Sequence, residues 1–284
     1  MKLIRFGEAN KEKPGVLLGD ALYDVSSLTS DYDEKFFEND GVSKLRSLIE
    51  SKKNSLPQVP PGSRLGSPVA RPSKIVCIGL NYADHAKETG ATPPPEPVIF
   101  LKSTTALTGP FDDIMIPLSS KKTDWEVELG VVIGKKASYV EEDNALDYVA
   151  GYVLHNDVSE REFQIERSGT WDKGKGCDTF APLGPWLVTQ DEIADIDNLR
   201  LWLRVNGKTM QDGTTANLIF KIPFLISYTS RFMTLLPGDV ISTGTPAGVG
   251  MGMKPQVYLR EGDVVELGID GLGTARQNVV AYRK

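Results

Sequence analysis

The sequence predicts an α+β protein that is mostly β: a β-roll or β-barrel body with few helices, preceded by a small N-terminal α+β unit. Many short β-branched runs are separated by Gly, Pro and Asp, which is the punctuation of strands. Helical periodicity is confined to a few segments. A stretch rich in Pro, Gly and Ser, SLPQVPPGSRLGSP at residues 55–68, divides the opening segment from the rest.

Along residues 1–49 the runs MKLIRF, GVLLG and ALYDV read as strands, followed by a helical segment around residues 42–51. The Pro-rich stretch reads as a linker crossed by few tertiary contacts, so the expected division is 1–68 for the small domain with its linker and 69–284 for the main one. Beyond it, KIVCIGL, PVIFLKS, DIMIPL, WEVELGVVIG, YVAGYVLHND, PLGPWLVT, LRLWLRVNG, DVISTG and DVVELGI supply the β-rich body. Helices are expected around residues 81–89, 160–166 and 222–234. No internal repeat marks a solenoid or propeller.

The 284 residues are 40% hydrophobic and 25% charged, the balance of a chain able to bury a sizeable core. No apolar run approaches the roughly 20 residues that span a bilayer, and MKLIRFGEANKEKPG lacks the apolar stretch of a signal peptide. A cytoplasmic location is the expectation, with no membrane partner. The net charge of -6 comes from interspersed acids and bases, which disfavours nucleic acid. Cys77 and Cys177 match neither a zinc spacing nor a disulfide framework and are expected to be reduced.

The sharpest local feature is Trp125-Glu126-Val127-Glu128-Leu129, because residues two apart on a strand share a face. The apolar GVVIG that follows places Glu126 and Glu128 at the start of a buried strand, where adjacent carboxylates need a cation or protons to compensate them. Asp157 ends a second apolar run, GYVLHND. Three carboxylates form an all-oxygen site suited to Mg²⁺, Mn²⁺ or Ca²⁺ rather than Zn²⁺. The plainer alternative is a solvated strand face whose glutamates pair with Lys or Arg. His155 shares the face of Asp157 and could add a ligand, but a hydrogen-bonded strand histidine is the preferred reading, and it is left outside the site.

In Asn81-Tyr82-Ala83-Asp84-His85-Ala86-Lys87-Glu88, His85 and Glu88 lie three apart and stack on one helix face. A carboxylate so placed orients the imidazole and raises its basicity, allowing it to take a proton from water. A weak surface ion pair is the competing reading. In Trp171-Asp172-Lys173-Gly174-Lys175-Gly176 a Gly-flanked lysine can approach a developing negative charge. Thr243-Gly244-Thr245-Pro246-Ala247-Gly248 offers hydroxyls and N–H groups for a carboxylate, or is a plain turn. The patterns G-x-S-x-G, H-E-x-x-H and strand-bound G-x-G-x-x-G are all missing, which disfavours a serine hydrolase, a zinc protease and a nucleotide-dependent dehydrogenase.

Taken in order, CIGLNYADHAKE, WEVELGVVIGK, GYVLHNDVSER, DKGKGCDTFAPLGPW and STGTPAGVG resemble the fumarylacetoacetate hydrolase family over residues 73–284. DVSEREFQ followed by KGKGCDTFAPLGPWLVT is similar to bacterial 2,4-diketo-3-deoxy-L-fuconate and L-rhamnonate hydrolases, a subgroup often labelled ureidoglycolate lyase. The resemblance implies a mixed β-roll catalytic domain behind a small N-terminal domain, and a homodimer. It assigns metal binding to Glu126, Glu128 and Asp157, catalysis to His85, Glu88 and Lys175, and substrate contacts to Lys102, Gln164 and Thr245. Leu80 stands where many relatives carry Arg, Ser103 where Pro is common, and Gly176 where many of the nearest have Ser; these departures bear on the substrate rather than on the reaction class.

The implied activity is hydrolysis of a C–C bond in a small 2,4-dioxo acid, with Mg²⁺ orienting the 2-oxo acid end. His85, polarised by Glu88, would activate water, and Lys175 would stabilise the oxyanion. The products would be pyruvate and a second acid such as lactate. An oxaloacetate-type decarboxylase or a hydroxymuconate-type isomerase of the same family stays open, as does a non-catalytic protein that binds a metal or a sugar acid.

Overall fold

The first strand, β1 (Lys2–Phe6), buries four of its five residues, which already sets it inside a sheet rather than on a detached unit. In the computed structural model, which describes residues 1–52, 55–90 and 92–283, it is followed by β2 (Lys13–Leu18), β3 (Ala21–Asp24), α1 (Glu34–Glu38), α2 (Gly41–Lys52) and β4 (Leu65–Gly66). Next come β5 (Ile75–Gly79), α3 (Ala83–Thr89), β6 (Val98–Lys102), β7 (Leu107–Thr108), β8 (Ile114–Ile116), β9 (Thr123–Asp124), β10 (Val127–Ile133), β11 (Val149–Asn156) and β12 (Ser159–Glu160). The remainder is α4 (Asp172–Lys175), β13 (Ala181–Pro182), β14 (Leu187–Thr189), β15 (Arg200–Val205), β16 (Lys208–Thr214), α5 (Ile222–Phe232), β17 (Val240–Ser242), β18 (Val264–Ile269) and β19 (Gly273–Ala281). The mostly-β α+β expectation holds, and each expected helix is present, the one around 160–166 as a single wide turn, Glu162–Glu166.

The main sheet runs β3-β2-β1-β14-β11-β10-β17-β5-β6, with β4 paired to β1. Its end strands β3 and β6 do not pair with each other, so the body is an open roll and not the closed barrel that was the other expectation. A second sheet, β16-β15-β18-β19-β8, packs against it through one continuous apolar core that includes Leu129, Val131, Leu201, Leu203 and Leu267. The strand β10 is buried at every position, as befits a run that is apolar on both faces beyond Glu128. Among the described residues, no helix is long and apolar enough to cross a membrane.

The 55–68 stretch, expected to be crossed by few contacts, is stitched down. Its Leu65–Gly66 pairs with β1, Val59 N–H donates to Leu22 O, and Arg64 binds both Asp112 and Glu12. Its prolines shorten the strands without preventing the free carbonyls from pairing.

The register positions the site. In β10–β11, Val127 opposes Asn156 and Glu128 opposes His155, while Asp157 N–H donates to Glu126 O at 2.9 Å. Because β17 runs parallel to β5 and antiparallel to β10, the carboxyl ends of β5, β11 and β17 meet the amino end of β10 at one edge. Gly151 is required at the β11–β14 contact, since a Cβ there would lie 2.2 Å from the Val188 carbonyl oxygen. Gly151→Ala is therefore expected to destabilise the fold by about 1–3 kcal/mol. A denaturant midpoint equal to wild type would overturn that packing argument.

Candidate metal centre and active site

Glu126 and Glu128 flank the first residue of β10, and Asp157 follows the last residue of β11, so the sheet register alone brings three acids together. One carboxylate oxygen of each lies within 4.8 Å of the others, and all three residues are buried. Around them the chain places cations. Lys175 Nζ lies 2.6 Å from Glu126 Oε2 and 2.8 Å from Asp157 Oδ2. Lys102 Nζ binds Asp157 Oδ1 and donates to Val158 O. Arg161 bridges Asp124 at 2.8 Å and Glu126 at 2.6 Å, and also donates to Gln164.

Charge separates the three acids. Burial raises Glu126, yet Lys175 and Arg161 outweigh it and hold that carboxyl below its usual range. Burial likewise opposes the charge on Asp157, but Lys102 and Lys175 hold it well down. Glu128 goes the other way: burial, then the neighbouring Asp157 and Glu126, push its carboxyl well up. Its Oε2 accepts hydrogen bonds from neutral groups, the Ser242 hydroxyl at 2.5 Å and the Gly244 N–H at 3.0 Å. Gly244 has φ of +99°, and a Cβ there would meet Asn81 Cβ at 2.9 Å, so this donor needs glycine. Among the described residues, the ion pairs of Asp124, Glu126 and Asp157 are made with Lys102, Arg161 and Lys175, so with Glu128 ionised the cluster is one positive charge short. An all-oxygen buried donor set with a deficit of positive charge fits a hard divalent cation.

Facing this cluster, α3 carries the second pair. His85 Nδ1 lies 3.5 Å from Glu88 Oε2, as the i,i+3 spacing requires. Glu88 is fixed from behind by the Gly248 N–H, which donates to both carboxylate oxygens at 3.0 Å. Burial raises the Glu88 carboxyl, but the bonds from His85 and the Gly248 N–H prevail and keep it below its usual range. A cavity of about 180 Å³ connects the two groups; its wall includes His85, Glu126, Glu128, Arg161, Gln164, Lys175 and Thr245. The rest of its lining is largely apolar: Ile78, Leu80, Phe100, Ile165, Trp171 and Met251.

The structure therefore brings His85, Lys175, Glu126, Glu128, Gln164 and Thr245 onto one cavity, with Glu88 behind His85. Lys102 and Asp157 sit behind the wall, Lys102 turned onto Asp157 rather than toward the open space. Lys175 ends the one-turn α4 and lies 5.0 Å from the centre of the Phe100 ring, in a place where it is buried instead of solvated in its Gly-rich turn. His155 is a hydrogen-bonded strand histidine, neutral because burial pushes it down to about 3. Sequence reasoning missed Arg161 and Asp124. The signal for Arg161 lay inside DVSER, four residues after Asp157 and three before Gln164.

A raised folded value means that the stability Glu128 contributes is present below the unfolded carboxylate range, about pH 4, and is lost as pH rises through the folded value. Glu128→Gln removes that loss and keeps an acceptor for Ser242 and Gly244. The EDTA-treated variant is expected to melt above wild type at about pH 8, by about 2–4 °C for each kcal/mol of repulsion relieved, with the gap closing toward about pH 4. Coincident melting curves across this range would refute the repulsion.

The C-terminal model of fumarylacetoacetate (FAA) hydrolase matches residues 74–280. A Burkholderia multivorans hydrolase is 53% identical over 285 residues, covering 100% of both chains. The fumarylacetoacetate hydrolase of psychrophilic Exiguobacterium antarcticum is 35% identical with a TM-score of 0.85, over 99% of this chain and 100% of that one. Maleylpyruvate hydrolase from Sphingobium sp. SYK-6, in complex with manganese (II) ion and pyruvate, is 31% identical with a TM-score of 0.83, over 100% of both. The open mixed sheet, the buried acidic triad and these matches agree: the chain is an enzyme of the fumarylacetoacetate hydrolase family.

Proposed function

We propose that the enzyme hydrolyses the C–C bond of a small 2,4-dioxo acid, with 2,4-diketo-3-deoxy-L-fuconate or a related deoxy sugar acid as substrate and pyruvate and lactate as products. The observation that carries this reading is the cavity of about 180 Å³ onto which Glu126, Glu128 and His85 open, with Asp157 clustered behind the two glutamates and Glu88 behind His85. The manganese and pyruvate held by the Sphingobium relative support it. The apolar wall of Leu80, Phe100, Ile165, Trp171 and Met251 suits a short methyl-ended tail better than a second carboxylate.

Glu126, Glu128 and Asp157 are the residues that would hold Mg²⁺, or Mn²⁺ or Ca²⁺ in its place. When bound, the ion supplies Lewis-acid polarisation of the 2-oxo acid oxygens. Glu88 holds His85 through Nδ1, which leaves Nε2 to take a proton from water. The resulting hydroxide attacks the distal carbonyl. Lys175 places its ammonium beside the acids on the cavity wall, where it meets the negative charge that develops on the attacked oxygen. Gln164 and Thr245 orient the substrate, and Trp171 with Phe100 excludes bulk water. Cleavage returns the proton from His85 to the departing three-carbon fragment. Lys102, turned onto Asp157, is assigned to holding that carboxylate charged rather than to substrate contact. The catalytic body is proposed as residues 69–284, and the assembly as a homodimer.

The test is incubation of the protein and Mg²⁺ with 2,4-diketo-3-deoxy-L-fuconate, with and without EDTA. Equal pyruvate and lactate, lost with EDTA, is the expected result. Loss of the substrate's absorbance without pyruvate would instead indicate isomerisation, and pyruvate with carbon dioxide from oxaloacetate would indicate decarboxylation. His85→Ala is expected to lower turnover by about 10²–10⁴-fold while Mn²⁺ affinity stays unchanged; unaltered turnover would remove His85 from the mechanism. Sedimentation at micromolar concentration is expected to give twice the chain mass.

A further inference from the structure

His155 and Ser242 take no part in the scheme above, yet they form one hydrogen-bonded chain that ends on Glu128. Ser242 Oγ donates to Glu128 Oε2 at 2.5 Å, and His155 Nδ1 lies 2.6 Å from the same Oγ. The three residues come from three neighbouring strands, β11, β10 and β17. His155 and Ser242 are fully buried and Glu128 is nearly so.

A serine hydroxyl has one proton to give. A metal-binding carboxyl is deprotonated; with Glu128 in that form the hydroxyl proton points to Oε2, so His155 is the donor to Ser242 and carries its hydrogen on Nδ1. The other ring nitrogen, Nε2, is buried and meets no hydrogen-bond partner among the described residues, which suits a bare lone pair better than an orphaned N–H. The polarity of the chain is thereby set: imidazole N–H to hydroxyl, hydroxyl to carboxylate. With the ring N–H donating to its oxygen, Ser242 cannot turn its own hydrogen toward His155, which leaves that hydrogen to Glu128 Oε2.

We infer that His155 and Ser242 are positioning residues for the metal site, a two-step hydrogen-bond chain that fixes the orientation of the Glu128 carboxylate as a ligand. The inference rests on the metal-site reading above and goes beyond it, to residues that touch neither substrate nor ion. Groups that hydrogen-bond a metal-binding carboxylate fix its geometry, and their loss typically costs about 10–100-fold in metal affinity. Asn in place of His155 can present an N–H near the position of Nδ1, whereas Leu fills the space without a donor.

Mn²⁺ affinity, measured by calorimetry on the full chain, tests this without recourse to turnover. Ser242→Ala and His155→Leu are each expected to weaken binding by about 10–100-fold, and the double variant to be no weaker than Ser242→Ala alone within about twofold, because both break the same chain. His155→Asn is expected to recover most of the affinity. The chain holds only two histidines, so ¹⁵N-histidine spectra of the Mg²⁺-loaded protein read the His155 tautomer directly, with His85→Gln as the assignment control. The Nδ1–H form is expected. An Nε2–H form, or His155→Leu and His155→Asn both binding Mn²⁺ as wild type does, overturns the inference while leaving the metal site in place. Wild-type protein that takes up no Mn²⁺ overturns the metal-site reading and this inference with it.

Discussion

Four acids and three cations buried against one another are the constraint on which the rest of the molecule turns. Asp124, Glu126, Glu128 and Asp157 would repel at these distances in a medium that screens poorly, and Lys102, Arg161 and Lys175 offset three of the four charges. Each cation must come from elsewhere in the chain: Lys102 from the end of β6, Arg161 from the turn after β12, Lys175 from α4. The mixed sheet order is what allows this. Placing β17 between β10 and β5 lets segments remote in sequence reach the amino end of β10, where an up-and-down meander would not. The charge left over falls on Glu128, whose hydrogen bonds come from neutral donors. This leaves the cluster ready to accept a cation and costs stability when it has none.

The parts of this arrangement visible in the sequence are those set by local geometry. Glu126 and Glu128 are two apart at the head of a strand, and His85 and Glu88 are three apart on a helix, so periodicity alone places each pair. The mostly-β body was visible for the same reason, through its short β-branched runs. What spacing cannot carry is pairing between distant segments. The bridge from Arg161 to Asp124 spans 37 positions, and Lys175 meets Glu126 across 49. Nothing local says that Lys102 turns inward onto Asp157. Likewise, a stretch rich in Pro and Gly looks like a tether until β1 is seen beside it, because the partner that gives Leu65 and Gly66 their hydrogen bonds lies sixty residues earlier. Open roll and closed barrel differ only in whether the end strands meet, which the composition of those strands does not reveal.

On the proposed reading, the acids and the histidine serve the oxo-acid end of the substrate, so discrimination among substrates would fall to the opposite wall. There Leu80 takes a backbone φ of +55°, a region that side chains adopt only when the surroundings enforce it, at a cost of about 1–3 kcal/mol. The enforcement comes from the next residue. Asn81 is fully buried; its amide donates to Phe220 O and Thr243 O, its side-chain oxygen accepts from Phe220 N–H, and its carbonyl accepts from Ile219 N–H. These bonds clamp the turn between β5 and α3 to two other segments, one of which continues through Gly244 to Glu128. One asparagine therefore ties together the apolar wall, the helix bearing His85 and the loop that holds Glu128. On the proposed reading, a substrate tail would be read against a surface whose position is tied to the carboxylates, which would link recognition of the tail mechanically to placement of the oxo-acid end.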